Sequence, residues 1–360
     1  MTSSQTPIIA PSIDSLRHES GEVWQHMAKA QSAAIERRAL VGSMLSEADL
    51  ISADTSLVVF GSLARGEFTS GSDCDWTMLV DGKSDPGHFD TSARVARALK
   101  SLGLTDPGPS GLFGSLSFSH ELVHEIGGED DSNRNTTRRI LLLLESAPIA
   151  AGDSTAVRER VVRCILRRYF DEDARTAGAA ASSVVPRYLL NDISRFWRTL
   201  GVDYARKVRD RGGQGWALRN IKLRISRKLL YASGLLVCFG SVLDSVAAAH
   251  ETEPLLDLER RLAIPPLEHV ASRVRQIKQE NERIEIAKDI FGAYDAFLGM
   301  LDDSDQREHL KNLPTGNADS DPAFCAAREN GRRFQKGLLR LFFGSGVPKL
   351  ADLTKEYGVF

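Results

Sequence analysis

Three hydrophobic patterns succeed one another along the chain. Residues 1–12 have no clear periodicity and read as a tail. From about Ser15 to Ala48 apolar residues recur at helical spacing, with Trp24, Met27, Ala28, Ala34 and Ile35 on one face. Gln31 interrupts the stripe, and Gly21 and Gly42 are expected to break the helix. A continuous apolar run, Leu57 to Phe60, comes next, and after a polar interval residues 74–80 alternate as a strand does, closed by Asp81-Gly82. A helix is expected over Thr91–Leu102, capped by Asp90 or Thr91 and ended at Gly103. Beyond a Pro/Gly-rich loop at 106–111, Leu112–Phe118 reads as a short strand and the residues from Ser119 to Gly127-Gly128 as a short helix. The segment from Arg139 to Ser146 reads two ways. Its leucines favour helix, whereas a five-residue apolar run close to Pro148 also fits a buried strand.

From Val157 onward helical spacing dominates, over 187–210, 216–239, 254–262, 267–301 and 323–343. A linker or exposed crossing is expected at 171–186, with breaks at Pro265-Pro266 and 312–317. The predicted fold class is α+β, with a helical N-terminal segment (1–50), a small mixed-sheet domain (51–155) and a helical C-terminal domain (156–360).

The two strand-like runs carry the candidate chemistry. The first ends in Gly61-Ser62, and after ten intervening residues Asp73 and Asp75 lead into the second. Spaced by two, these carboxylates project from one face of an extended chain. Like charges at close range raise one pKa, and a divalent cation such as Mg²⁺ relieves that cost through hard oxygen ligands. The backbone N–H groups at Gly61-Ser62 and the Ser62 hydroxyl suit phosphate oxygens.

The combination G-S-L-A-R-G-E (61–67) and S-D-C-D-W (72–76) resembles the signature of the polymerase-β-type nucleotidyltransferase superfamily. The resemblance implies transfer of NMP from an NTP substrate to an acceptor hydroxyl, with release of pyrophosphate. It places Mg²⁺ or Mn²⁺ on Asp73 and Asp75, and the triphosphate on Gly61 and Ser62, with Arg65 and Ser72 in the same loop. The chain beyond the acidic pair resembles the branch containing glutamine-synthetase adenylyltransferase and protein-PII uridylyltransferase. There a third carboxylate on a strand is followed by Gly-Asp. Here Glu145 precedes Gly152-Asp153, which puts Glu145 in the third catalytic and metal-binding position, where the family usually has Asp; Glu125, Asp130 and Asp131 compete for it. That branch suggests a protein hydroxyl as acceptor, while RNA or tRNA and small molecules stay open, as does a nucleotide sensor without turnover.

Charge adds a second feature. Twelve Lys and Arg lie between Arg187 and Lys228, opposed only by Asp192, Asp203 and Asp210. Such a stretch can clamp a triphosphate or track an RNA backbone, and equally can be the solvated face of two helices. Within it Leu218, Ile221, Ile225 and Leu229 mark a buried side, with Lys222 at its edge, able to reach a nucleotide in a cleft. Trp197 and Trp216 are candidates for base stacking or core, and Arg138 and Arg139 for phosphate contact or an exposed first turn.

A rival motif lies at 120–124, H-E-L-V-H. On a helix, His120 and His124 share a face and Glu121 serves as base in a zinc hydrolase, with Asp130 or Glu145 as third ligand. Against zinc, no methionine lies between Met78 and Met300 to form the turn of the metalloproteases this motif resembles.

Composition narrows the classes further. A chain of 360 residues with 42% hydrophobic and 26% charged residues has the make-up of a globular protein, and a net charge of −2 argues against a chain-wide polyanion-binding field. Cys74, Cys164, Cys238 and Cys325 form no close pair, and no signal sequence is read, so reduced thiols and a cytoplasmic location are expected. The apolar segment Leu229–Val246 is interrupted by Ser233, Gly234, Gly240, Ser241 and Asp244, and is expected to be a buried helix with no membrane role.

Overall fold

A computed structural model describes residues 12–108, 111–149, 155–177, 185–244 and 253–359. Helices α1 (Ser12–Ser20) and α2 (Gln25–Glu47) are separated by a turn with positive φ at Gly21 and Trp24. Gly42 does not break α2 but lies buried within it. The buried stripe is Trp24, Met27, Ala30, Ala34, Val41 and Leu45, whereas Ala28 and Ile35 face out. Packing outweighs the weak helix propensity of a single buried glycine.

Strand β1 (Thr55–Phe60) runs into the one-turn helix α3 (Gly61–Arg65), and β2 (Trp76–Val80) returns antiparallel beside β1. Helix α4 (Gly87–Ser101) begins four residues before the expected Thr91, because the Asp85 carboxylate accepts from the Gly87 N–H at 2.8 Å. It ends near Gly103, as the spacing predicts, and the φ of that glycine is 72°. Strand β3 (Ser115–Phe118), shorter than expected, pairs parallel with β2 and leads into α5 (Ser119–Val123).

The ambiguous leucine segment takes both conformations in succession. Helix α6 (Asn133–Leu144), capped by the Ser132 hydroxyl, contains the leucines, and β4 (Ser146–Pro148) pairs antiparallel with β1. The sheet order is β3-β2-β1-β4, and the fold is α+β. The anticipated Gly152-Asp153 lies outside the described residues.

The helical remainder comprises α7 (Thr155–Ala177), α8 (Arg187–Asp210), α9 (Trp216–Lys222), α10 (Lys228–Asp244), α11 (Pro254–Leu262), α12 (Pro266–Arg275), α13 (Glu280–Ala287), α14 (Ala293–Asp302), α15 (Ser304–Asn312), α16 (Pro322–Phe343) and α17 (Pro348–Leu353). Helix α7 enters the segment expected to be a linker, and periodicity gives no sign of α15 or α17. A π-helical turn at Leu223–Arg227 joins α9 to α10, and another at Lys288–Gly292 joins α13 to α14. The helix Trp216–Asp244 is long and apolar enough to cross a membrane, but 72% of its apolar window is buried inside the protein, where Leu229, Leu236 and Phe239 are fully enclosed.

The sheet is buried on both faces. Leu57, Val59, Met78 and Val80 pack with Ala34, Val41 and Leu45 of α2 and Val95 and Leu99 of α4. Val58, Phe60 and Leu79 join a larger core that runs without interruption into α6–α8, α10, α12, α14 and α16. Leu79 shares parity with Asp75, so the strand face that carries the carboxylate is the one covered by the helical region.

One buried charge cluster ties α6 to α7 and α8. Arg139, with no exposed side-chain surface, donates to Asp131 at 2.8 and 3.1 Å, to Asp192 at 2.7 Å and to the Tyr169 hydroxyl at 2.8 Å. It is therefore a core residue and cannot serve as a phosphate contact. Removing one partner of a buried, fully bonded ion cluster strands the others at about 3–5 kcal/mol. Arg139→Ala is expected to lower the urea unfolding free energy by that order, and a loss under about 1 kcal/mol would contradict the assigned role.

Candidate active site

The candidate site lies where β1 passes into α3. Gly61 has φ of 65°, and a Cβ there would stand 3.3 Å from Oδ2 of Asp75. Both conditions select glycine: a left-handed backbone and a close neighbour. The Asp75 carbonyl accepts from the Phe60 N–H at 2.8 Å, extending the β1–β2 ladder by one residue and fixing the Asp75 carboxylate beside the turn. Asp73 lies before the strand, exposed, in an isolated bridge to Thr105.

Burial, together with Glu145 and Asp73, raises the Asp75 carboxyl to about 6, against the attraction of Arg227 and Lys222. Between the two aspartates, Cys74 is buried and its thiol is pushed up to about 12 by burial and both carboxylates, so it stays protonated.

The loop between the two motifs is pinned from three directions. Glu67 is buried, and its N–H donates to the Ser62 carbonyl at 2.8 Å. Its Oε2 accepts from Arg65 Nε at 2.9 Å, Arg65 Nη2 at 2.7 Å and the Tyr294 hydroxyl at 2.8 Å. Ser70 donates through its N–H to the Asp302 carboxylate at 3.0 Å, and the Arg307 guanidinium occupies the space a Cβ at Gly71 would need. The Ser72 hydroxyl accepts from the Thr69 N–H at 3.0 Å and so braces the loop.

Glu145 lies in the turn between α6 and β4, 3% exposed and electrostatically close to Asp75. Both of its oxygens are taken: Oε2 accepts from Arg65 and Oε1 from Arg227 at 2.8 Å. Glu145, expected as the third catalytic and metal-binding carboxylate, is thus engaged by two arginines. In this arrangement it is a buried counter-ion that fixes two arginines. Burial alone would lower the Arg65 pKa, but Glu67 and Glu145 hold the guanidinium firmly charged.

Lys222, at the end of α9 and exposed over part of its length, brings its ammonium within electrostatic reach of Asp73 and Asp75. Desolvation lowers its pKa, with Arg227 and Arg65 adding to the effect and Asp73 and Asp75 opposing it. The cleft thus sets Arg65, Lys222 and Arg227 against Glu67, Asp73, Asp75 and Glu145, one net negative charge. In the sequence, Arg227 is only one of twelve basic residues, and Glu67 only part of the loop motif. Tyr294 carries no sequence signal, since its partner is 227 positions away.

Among the described residues no three His, Cys, Asp or Glu side chains converge as a metal cluster. The acidic pair still fits Mg²⁺ or Mn²⁺, which need one or two carboxylates and take remaining oxygens from substrate phosphates and water. The rival motif is less complete. His120 and His124 lie on one face, neither of them buried, with ring centroids 4.8 Å apart, and Glu121 faces Arg138 at 3.5 Å. The nearby acids are committed elsewhere, Glu125 to Asn135 and Asp131 to Arg139, while Asp130 is exposed. Trp216 is core, its indole N–H donating to the Leu313 carbonyl at 2.7 Å, and Trp197 stacks on Tyr231 with centroids 5.4 Å apart.

Residues 41–105 match the family of nucleotidyltransferase domains. The match spans the end of α2, β1, the Gly61-Ser62 turn, both aspartates, β2 and α4. It supports the polymerase-β-type superfamily and nucleotidyl transfer as the general chemistry. No curated protein matches the chain.

The raised Asp75 pKa fixes a pH dependence. The folded protein holds this proton more tightly than the unfolded chain, so stability falls as pH rises from about 4 to about 6 and stays reduced above. Asp75→Asn is expected to exceed wild type by about 1–3 kcal/mol at pH 7.5 in EDTA, with the difference vanishing below pH ~4. Saturating Mg²⁺ should stabilise wild type and leave the variant unchanged. Urea titrations with and without Mg²⁺ check both: parallel curves at all pH values would contradict the raised pKa, and no Mg²⁺ effect on wild type would contradict a cation at Asp75.

Proposed function

We propose that the protein is a metal-dependent nucleotidyltransferase that moves NMP from an NTP to an acceptor hydroxyl and releases pyrophosphate. The observation that carries this reading is the approach of the Asp75 carboxylate to a left-handed Gly61, inside a cleft that also gathers Asp73, Arg65, Lys222 and Arg227. Asp73 and Asp75 would hold a divalent cation, which when bound would supply Lewis-acid stabilisation of the phosphate oxygens and of the ionising acceptor hydroxyl. With that cation bound, the net charge of the cleft changes from negative to positive, the sign that draws in a triphosphate.

The protein's own groups orient the reaction. Ser62 and the backbone after Gly61 meet the triphosphate, and Lys222 reaches its oxygens as a mobile point charge. Arg65 cannot swing freely, because Glu67 and Glu145 hold it from both sides; it presents a fixed positive face. The acceptor oxygen attacks the α-phosphorus as the bond to pyrophosphate breaks, and the hydroxyl proton is lost to solvent. Preorganised charge of this kind stabilises the spreading negative charge without rearrangement during the step. Resemblance to the adenylyltransferase and uridylyltransferase branch favours ATP or UTP as donor. The acceptor hydroxyl belongs to a protein, an RNA or a small molecule.

Incubation with each α-labelled NTP, Mg²⁺ or Mn²⁺ and a cell lysate is expected to label an acceptor. Asp73→Ala with Asp75→Ala should reduce labelling by about 100-fold or more while the far-ultraviolet circular dichroism is retained. Nucleotide binding without label transfer at any acceptor would make the protein a sensor, and unchanged labelling by the double variant would overturn the proposed site.

A further inference from the structure

Helix α8 carries a feature that the cleft does not use. Arg187, Arg195, Arg198, Arg206 and Arg209 recur at intervals of three or eight, which places all five on one face of the helix. Between Arg187 and Arg209 that face extends about 33 Å. Asn191 and Val202 fall on the same stripe, and no carboxylate does. The opposite face, Leu189, Ile193 and Phe196, is buried.

Little neutralises these cations. Arg206 has a loose, exposed pair with Asp210 at 3.4 Å, and Arg195 donates to Asn133 and to the Asp131 carbonyl and lies 3.9 Å from the Asp131 carboxylate, which Arg139 already holds. Arg187 lies over the Tyr357 ring at 5.6 Å. The nearby acids are engaged within the protein: Asp192, at the edge of the adjoining groove, accepts from Arg139 and Tyr169, and Asp173, close to Arg187, accepts from the Tyr188 N–H at 3.2 Å.

Two further observations point to the ligand. Beside the arginines runs a groove of about 610 Å³ lined by Asn133, Tyr188, Asn191, Ser194 and Thr199. The exposed Tyr188 ring there can stack on a base, and the amide and hydroxyl groups match sugar hydroxyls. The positive track also continues towards the cleft. Arg211 comes directly after α8 and is close enough to Arg219 on α9 to lower its pKa, after desolvation, and Lys222 lies one turn beyond Arg219. The Tyr204 hydroxyl accepts from Asn220 at 3.1 Å and locks α8 against α9.

We infer that the α8 face and its adjoining groove bind single-stranded RNA and lead its 3′ end to Asp73 and Asp75 as the acceptor. This rests on the transferase reading above. The 3′-hydroxyl oxygen forms the new phosphodiester with the α-phosphorus, pyrophosphate leaves, and the hydroxyl proton passes to solvent.

The test uses the full-length protein and a fluorescent RNA of about 20 nucleotides, read by anisotropy across a KCl series. Arg198→Glu with Arg209→Glu should weaken binding about ten-fold or more and flatten the salt dependence, each lost phosphate contact removing roughly 0.7 from the slope. Arg332→Glu with Lys336→Glu, an equal charge change elsewhere, should leave both unchanged, and circular dichroism controls for folding. With α-labelled NTP, label should appear on RNA and fall in the α8 variant. Wild-type-like binding by the α8 variant, an equal loss in the control variant, or equal labelling of DNA of the same sequence would overturn the inference. Label on protein alone would overturn it while leaving nucleotidyl transfer standing. RNA binding lost in the α8 variant, with no transfer to any acceptor, would instead sink the transferase reading and leave the RNA surface intact.

Discussion

The site depends on one guanidinium. Arg65 is buried between Glu67 and Glu145; Tyr294 holds the first carboxylate and Arg227 the second. These five side chains come from the loop after β1, the turn before β4, a π-turn in the long central helix and the start of α14. Their ladder therefore joins the sheet to two separate parts of the helical region. Buried ion pairs add little net stability because desolvation offsets their attraction, but they penalise every arrangement that leaves one member alone. Here that penalty falls on any displacement of the loop that carries the Gly61 turn to Asp73.

The same ladder explains why Glu145 is not an open ligand. A carboxylate between two guanidinium groups has both oxygens occupied, and releasing one would leave an arginine uncompensated in the protein interior. Asp75 is in the opposite condition. It has carboxylates close by and cations at longer range, and its proton affinity rises until a cation takes the proton's place. Two neighbouring acids are thereby divided into one that fixes cations of the protein and one that, in the proposed reading, would take a metal.

Legibility in the sequence tracks how local each feature is. Gly61, Ser62, Asp73 and Asp75 can be read there because the turn and the two-residue spacing place them together without help from the rest of the chain. Helices α8 and α11 emerge with their observed bounds because each keeps a regular period between clear breaks. The leucine segment is ambiguous because α6 and β4 meet at Glu145 with no turn residue between them. In α2, alanine and isoleucine give no sure sign of which face is inward, and the turn at Trp24 sets the phase of the helix. The partners of Arg65 are hidden for another reason: contacts across 80 and 227 positions leave no trace in a single sequence.

The π-turns at 223–227 and 288–292 have a bearing on how such a site can change. Each takes one residue more than an α-turn would, which rotates the downstream helix by about 100°. Arg227 ends the first π-turn, and Tyr294 stands two residues after the second. Deleting a single residue from either would leave every group around the metal pair in the sequence, yet re-aim one end of the ladder away from its carboxylate. Insertion and deletion at these turns would thus act on the ladder separately from substitution of its members and would be hard to detect by inspecting motif residues alone.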